Sequence, residues 1–297
     1  MGVCAGVGIA SAAFTAMIAD QLPSEQRGAA SSAASSAQAL GIVLGVGVVV
    51  LLGLSVTAGY MVLAAAMAVL GTAAALLLPD PSGQTSRENT RRAANEPRFA
   101  FLRDRDFRWV LVGRLVVNVG NALGTSLFLF FLLYGLGQDH AAAEDNLLLV
   151  VVVYTVFVVG ASIAAGLVSD RIGRRRGLAV VAAVVQAGSG VMLVASPTFG
   201  MTLAAAAVMG VGYGAFSTVG LAFATDLLPS ARDHGRDLGL VNTAAALGQL
   251  LGPVLGALLV AAVGGFWLVF TVAAALSVLG GAITGLARDR RVSAVLG

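Results

Sequence analysis

The feature that most constrains this chain is a succession of apolar runs, each about twenty residues long and separated by short polar breaks. Only 11% of its 297 residues are charged and 58% are hydrophobic, where soluble chains carry roughly 25% charged residues. That much apolar surface has no soluble solution, so lipid is the solvent. The runs fall near 2–19, 34–55, 58–78, 109–134, 147–168, 178–196, 200–225, 238–263 and 266–286. They lack the strict alternation a lipid-facing barrel needs, and the reading is an all-α integral membrane protein of nine spans. The first run lacks the basic flank of a cleaved signal peptide.

Arginine placement orients the spans. All basic residues are arginine, and all but Arg114 follow alternate runs: Arg27, then Arg87 to Arg108, then Arg171 to Arg176, then Arg232 and Arg236, then Arg288 to Arg291. The connections near 56, 135–146, 197–199 and 264 have none. By the positive-inside rule the amino terminus is expected outside and the carboxyl terminus in the cytoplasm. Tyr60, Trp109, Tyr134 and Trp267 stand at span ends, where an amphipathic ring suits the headgroup layer. A lone cysteine, Cys4, excludes an internal disulfide, and His140 and His234, both in expected loops, offer no metal cluster.

Two segments repeat. Residues 1–24 align without a gap to 207–230, pairing Gly6 with Gly212, Gly8 with Gly214, Ser11 with Ser217, Asp20 with Asp226 and Pro23 with Pro229. After one inserted residue the match runs on through Gly41/Gly248 and Gly45/Gly252. Both copies would cross in the same direction, so the repeat is parallel. Three spans precede the second copy and none the first, so a matched pair of halves would want three more helices before Met1. The organisation expected is a partial amino-terminal half at 1–78, a cytoplasmic linker at 79–108, a six-helix half at 109–286 and a tail at 287–297.

The connection after the fifth run reads GLVSDRIGRRRG. With Gly166, Asp170, Arg171, Gly173, Arg174 and Arg175 it resembles the signature loop of the major facilitator superfamily, and the repeat, basic linker and sidedness agree with that family. The resemblance implies nine helices of an expected twelve, a parallel two-half bundle in the cell membrane, and alternating access to a small solute. It also implies that the signature loop is a conformational latch. The residues alone leave a second reading, in which the arginines merely anchor the loop in anionic headgroups.

In that family the first, fourth and seventh spans here would line the central cavity. The fourth carries Arg114, Asn118, Asn121 and Thr125 at spacings that stack them in one stripe. Arg114 either faces a water-filled cavity or snorkels back to the surface. The two asparagines either line the cavity or tie helices together. Tyr213 and Ser217 on the seventh span, and Ser11 and Thr15 on the first, complete the candidate lining, with Asp20 and Asp226 as the repeat's loop carboxylates. Asn242 and Gln249 share a face of the eighth span, which in the family supports more often than it lines.

No carboxylate lies inside any run, so a coupling proton or sodium ion has no obvious carrier. The family's antiporter pattern is broken in the second run, where Val46 replaces proline, while Gly248, Gly252, Pro253 and Gly256 complete one on the eighth. The expectation is therefore a secondary transporter of a small solute, with the lipid bilayer and a coupling ion as partners. Drug–proton efflux and a truncated, non-transporting relic are the alternatives. No nucleophile–base pair, cofactor loop or nucleic-acid motif suggests an enzyme or a nucleic-acid binder.

Overall fold

The computed structural model describes Gly41, residues 56–77, 104–227 and 234–288. Within these the chain is helical throughout. It divides into two compact units. One, Gln21–Arg98, holds helix α1 (Val56–Leu77). The other holds α2 (Arg105–Ser126, prolonged through Gly135), α3 (His140–Ile172), α4 (Arg175–Ala195), α5 (Phe199–Asp226), α6 (His234–Val263) and α7 (Trp267–Thr284).

Six of these helices, α2 to α7, are long and apolar enough to cross a membrane among the described residues. That corrects the expected nine of a twelve-helix pattern. Helix α1, with the shorter apolar stretch Met61–Ala73, is not among these six. The spans expected near 2–19 and 34–55 lie outside the described residues. His140 and His234, expected in loops, instead open α3 and α6. The apolar runs alone understate these helices, because polar caps extend them past the hydrophobic segment. Asp139 Oδ1 accepts from the Ala142 amide at 2.9 Å and starts α3 ahead of its apolar run. Asp104 does the same for α2, accepting from the amides of Asp106 and Phe107, each such cap being worth about 1 kcal/mol. Gly173 ends α3 at φ +69°, a left-handed conformation in which a β-carbon is strained.

The six-helix unit is two groups of three. Around α2 pack α6 and α7; around α5 pack α3 and α4; contacts of α4 with α7 and of α2 with α5 join the groups. Small residues set the closest approaches. On α6, Gly248, Gly252 and Gly256 lie one turn apart against α2. A methyl on Gly248 would come 2.5 Å from Asn118 Cβ, and one on Gly252 would come 2.5 Å from Ala122 Cβ. A methyl on Gly256 would meet Leu127 at 2.6 Å. Without a hydrophobic drive between helices in lipid, such backbone proximity supplies the dispersion contact that holds them. The antiporter-like glycines of α6 are thus a packing seam in this unit. Gly210 does the same for α5, since its methyl would strike the Tyr154 carbonyl oxygen of α3 at 2.5 Å.

Apolar side chains also cover the outside. Val156, Ile163 and Leu167 of α3 are each more than half exposed, as are Val181, Val191 and Leu258 on other helices. Water would not tolerate that surface; the hydrocarbon of a bilayer does.

Candidate functional site

The stripe on α2 points into the bundle. Arg114, nine residues past the start of α2 and so about 14 Å along it, is 7% exposed. Its Nη1 donates to the Ser217 carbonyl of α5 at 3.3 Å. Its Nε is buried and has no hydrogen-bond partner among the described residues, where its guanidinium forms no ion pair either. In the structure this side chain is inside the bundle, not drawn back to the surface.

One turn further on, Asn118 is 2% exposed. Its Nδ2 donates to the Arg114 carbonyl at 2.8 Å, and its Oδ1 accepts from the Tyr213 hydroxyl of α5 at 3.0 Å. Asn121 Oδ1 accepts from the Tyr154 hydroxyl of α3 at 3.2 Å. Thr125 donates to the Asn121 carbonyl at 2.9 Å. Three helices are therefore tied by a hydrogen-bond network in two parts, one joining Arg114, Asn118 and Tyr213 and the other Thr125, Asn121 and Tyr154. Beside it opens a polar cavity of about 290 Å³ lined by Asn121, Thr125, Tyr154, Tyr213, Gln249 and Pro253.

Of the residues expected around a cavity, Asn121, Thr125 and Tyr213 line this one. Asn118 and Arg114 support it from one side, and Ser217 contributes its backbone carbonyl to Arg114. Ser11, Thr15 and Asp20 lie outside the described residues. Sequence reasoning missed Tyr154. Its signal was present: a phenol near the middle of a long apolar run must find a hydrogen-bond partner or lose about 1–3 kcal/mol. Gln249 and Pro253 were assigned to a supporting helix, yet both reach the cavity. The glycine seam brings α6 close enough to α2 for that. A second buried pair, Gln186 of α4 donating to Ser277 of α7 at 3.1 Å, bridges helices away from the cavity.

The signature loop forms a separate cluster at the end of α5. Arg175, 9% exposed, opens α4 with one Nη1 2.9 Å from Asp226 and 2.7 Å from the Ala222 carbonyl. Its Nη2 donates to Asp170 at 3.3 Å. Asp226 is largely buried, with 14% of its side chain exposed, whereas Asp170 is 68% exposed. Arg171 and Arg174 point to solvent or headgroups. Gly166 is not forced by space, since a methyl there would touch Thr218 at an ordinary 3.5 Å. The loop thus contains one buried ion pair, joined by a more exposed carboxylate, and it links the signature residue Arg175 to the repeat carboxylate Asp226.

This is a multi-pass helical membrane bundle with a polar interior site and a basic hairpin at one end. The sequence model of the Major Facilitator Superfamily matches residues 1–141 and 114–295. The chain belongs to that superfamily, a family of transporters rather than enzymes. Two proteins called Multidrug resistance protein Stp, from two strains of Mycobacterium tuberculosis, are each 29% identical to it over 147 residues. That stretch is 47% of this chain and 27% of each relative, so the match spans about a quarter of those relatives' length.

Proposed function

We propose that the chain acts in secondary transport as an efflux carrier of drug-like amphiphiles whose polar end is uncharged or anionic. The observation that carries this reading is the Arg114 guanidinium, buried in the bundle without an ion-pair partner among the described residues, on the helix that also supplies Asn121 and Thr125 to the polar cavity. A cation held there in a low dielectric attracts acceptors and anions and repels lipophilic cations. The name of the two relatives supports export of drugs over uptake of nutrients. Alternating access, with the Arg175–Asp226–Asp170 cluster as a latch and a proton or sodium ion as coupling partner, belongs to the same reading. Vesicles from cells expressing the gene, loaded with neutral, anionic and cationic dyes, test it. Gradient-driven export of neutral or anionic dyes is expected. Equal rates with and without the protein, or export confined to cationic dyes, would refute the reading.

The proposed orientation puts the connection between α2 and α3 outside. That connection and the start of α3 carry three carboxylates, Asp139, Glu144 and Asp145, and no arginine, while the α3–α4 hairpin is arginine-rich, as cytoplasmic loops are. In a Cys4→Ser background, Gly137→Cys is expected to react with an impermeant maleimide in intact cells and Arg174→Cys only after lysis. The reverse pattern would invert the topology.

A further inference from the structure

The six-helix unit has a second, larger cavity that the polar network does not touch. It measures about 710 Å³ and opens between the far ends of α2, α4, α6 and α7. The far end of α2 closes on a wide turn, in which the Phe131 carbonyl accepts from the Leu136 amide, five residues on, at 2.9 Å. Phe130, Phe131 and Tyr134 of that end line the same hollow that Phe266, Trp267 and Phe270 enter from the start of α7. Phe131 and Phe270, 3% and 1% exposed, meet edge to face at 4.9 Å and form the floor. Phe130, Tyr134 and Trp267, 48%, 73% and 56% exposed, form the rim. Phe130 and Tyr134 lie parallel, 6.4 Å apart.

We infer that this cavity is a binding site for an uncharged, planar aromatic molecule of drug size, separate from the polar cavity around Asn121. The volume lies within the ~300–1,000 Å³ of ligand pockets. Six rings offer faces and edges for offset and edge-to-face contact. None of the lining residues is charged, so a bound ion would lose its hydration with no counter-charge in return. Ring stacking on the rim selects a flat molecule over a flexible acyl chain, which gains no such geometry. Tyr134 and Trp267 place the mouth at headgroup depth, where amphiphilic aromatic compounds concentrate. The site stands whether or not the chain exports drugs.

Trp267 is a built-in reporter, since the only other tryptophan is Trp109. In a Trp109→Phe protein held in lipid nanodiscs, the neutral probe N-phenyl-1-naphthylamine is expected to give saturable energy transfer from Trp267. Empty nanodiscs would show only linear partitioning. Ala261→Phe, which fills the cavity, is expected to weaken that binding about tenfold, the effect of ~1.4 kcal/mol, and Ala257→Phe provides a second filling variant. Arg114→Lys is expected to leave it unchanged, which separates this site from the polar cavity and its proposed transport role. Three results would overturn the inference. They are transfer that never saturates, loss of binding in Arg114→Lys but in neither filling variant, and binding of undiminished strength in both filling variants.

Discussion

Asp226→Ala is expected to destabilise the six-helix unit by about 3 kcal/mol, the lower end of the cost of stripping a buried ion pair of one member. The reasoning starts from Arg175. Its guanidinium is 9% exposed and sits 2.9 Å from Asp226, with the Ala222 carbonyl as a second acceptor. Removing Asp226 leaves that cation with an exposed carboxylate at 3.3 Å, Asp170, and exposed pairs are worth only about 0–1 kcal/mol. Asp170 therefore softens the loss and does not cancel it. Replacing both partners, as in Arg175→Met with Asp226→Leu, removes the unpaired charge and should recover most of the stability. Thermal unfolding in detergent, followed by cysteine accessibility or helical dichroism, measures both. A loss under about 1 kcal/mol for Asp226→Ala, or a double variant no better than the single, would show that the pair does not carry the hairpin.

Arg114→Lys is expected to cut transport of neutral and anionic solutes by about ten- to a hundredfold, the effect of losing about 1.5–3 kcal/mol of charge-assisted hydrogen bonding. Lysine keeps the charge but not the planar fork that binds two acceptors at once. It also shortens the reach to the Ser217 carbonyl, now spanned at 3.3 Å, and loosens α2 from α5. Export kinetics of an anionic dye and a neutral dye, at matched protein levels, read the effect. An unchanged half-saturation concentration together with an unchanged maximal rate would remove Arg114 from the site. So would vigorous export of a lipophilic cation by the parent protein.

Much of the helical layout was legible in the residues because lipid allows so few solutions. Each of α2 to α7 lies where an apolar run predicts a span, since a backbone in hydrocarbon must satisfy itself by helix formation. The stripe from Arg114 to Thr125 was visible too, because polar side chains at four- and three-residue spacing fall on one helical face. Even the repeat pointed to Asp226, the carboxylate that the structure joins to Arg175. Where the spans begin and end was less legible, because caps such as Asp139 and stops such as Gly173 act outside the apolar run.

The sequence alone determined the solvent, the helical class and the polar faces, all of which derive from transfer free energies acting residue by residue. Tertiary structure decided which faces meet. Tyr154 and Asn121 are 33 residues apart in the chain, and their hydrogen bond joins α3 to α2, two helices that both pack against α5. Gln249 lines the polar cavity because Gly248 and Gly252 close α6 onto α2. The aromatic cavity joins rings at the end of α2 to rings at the start of α7, a pairing that no apolar run encodes. Helix-to-helix contact in lipid is set by shape and close packing, and those are properties of pairs of surfaces that a single run of residues does not contain.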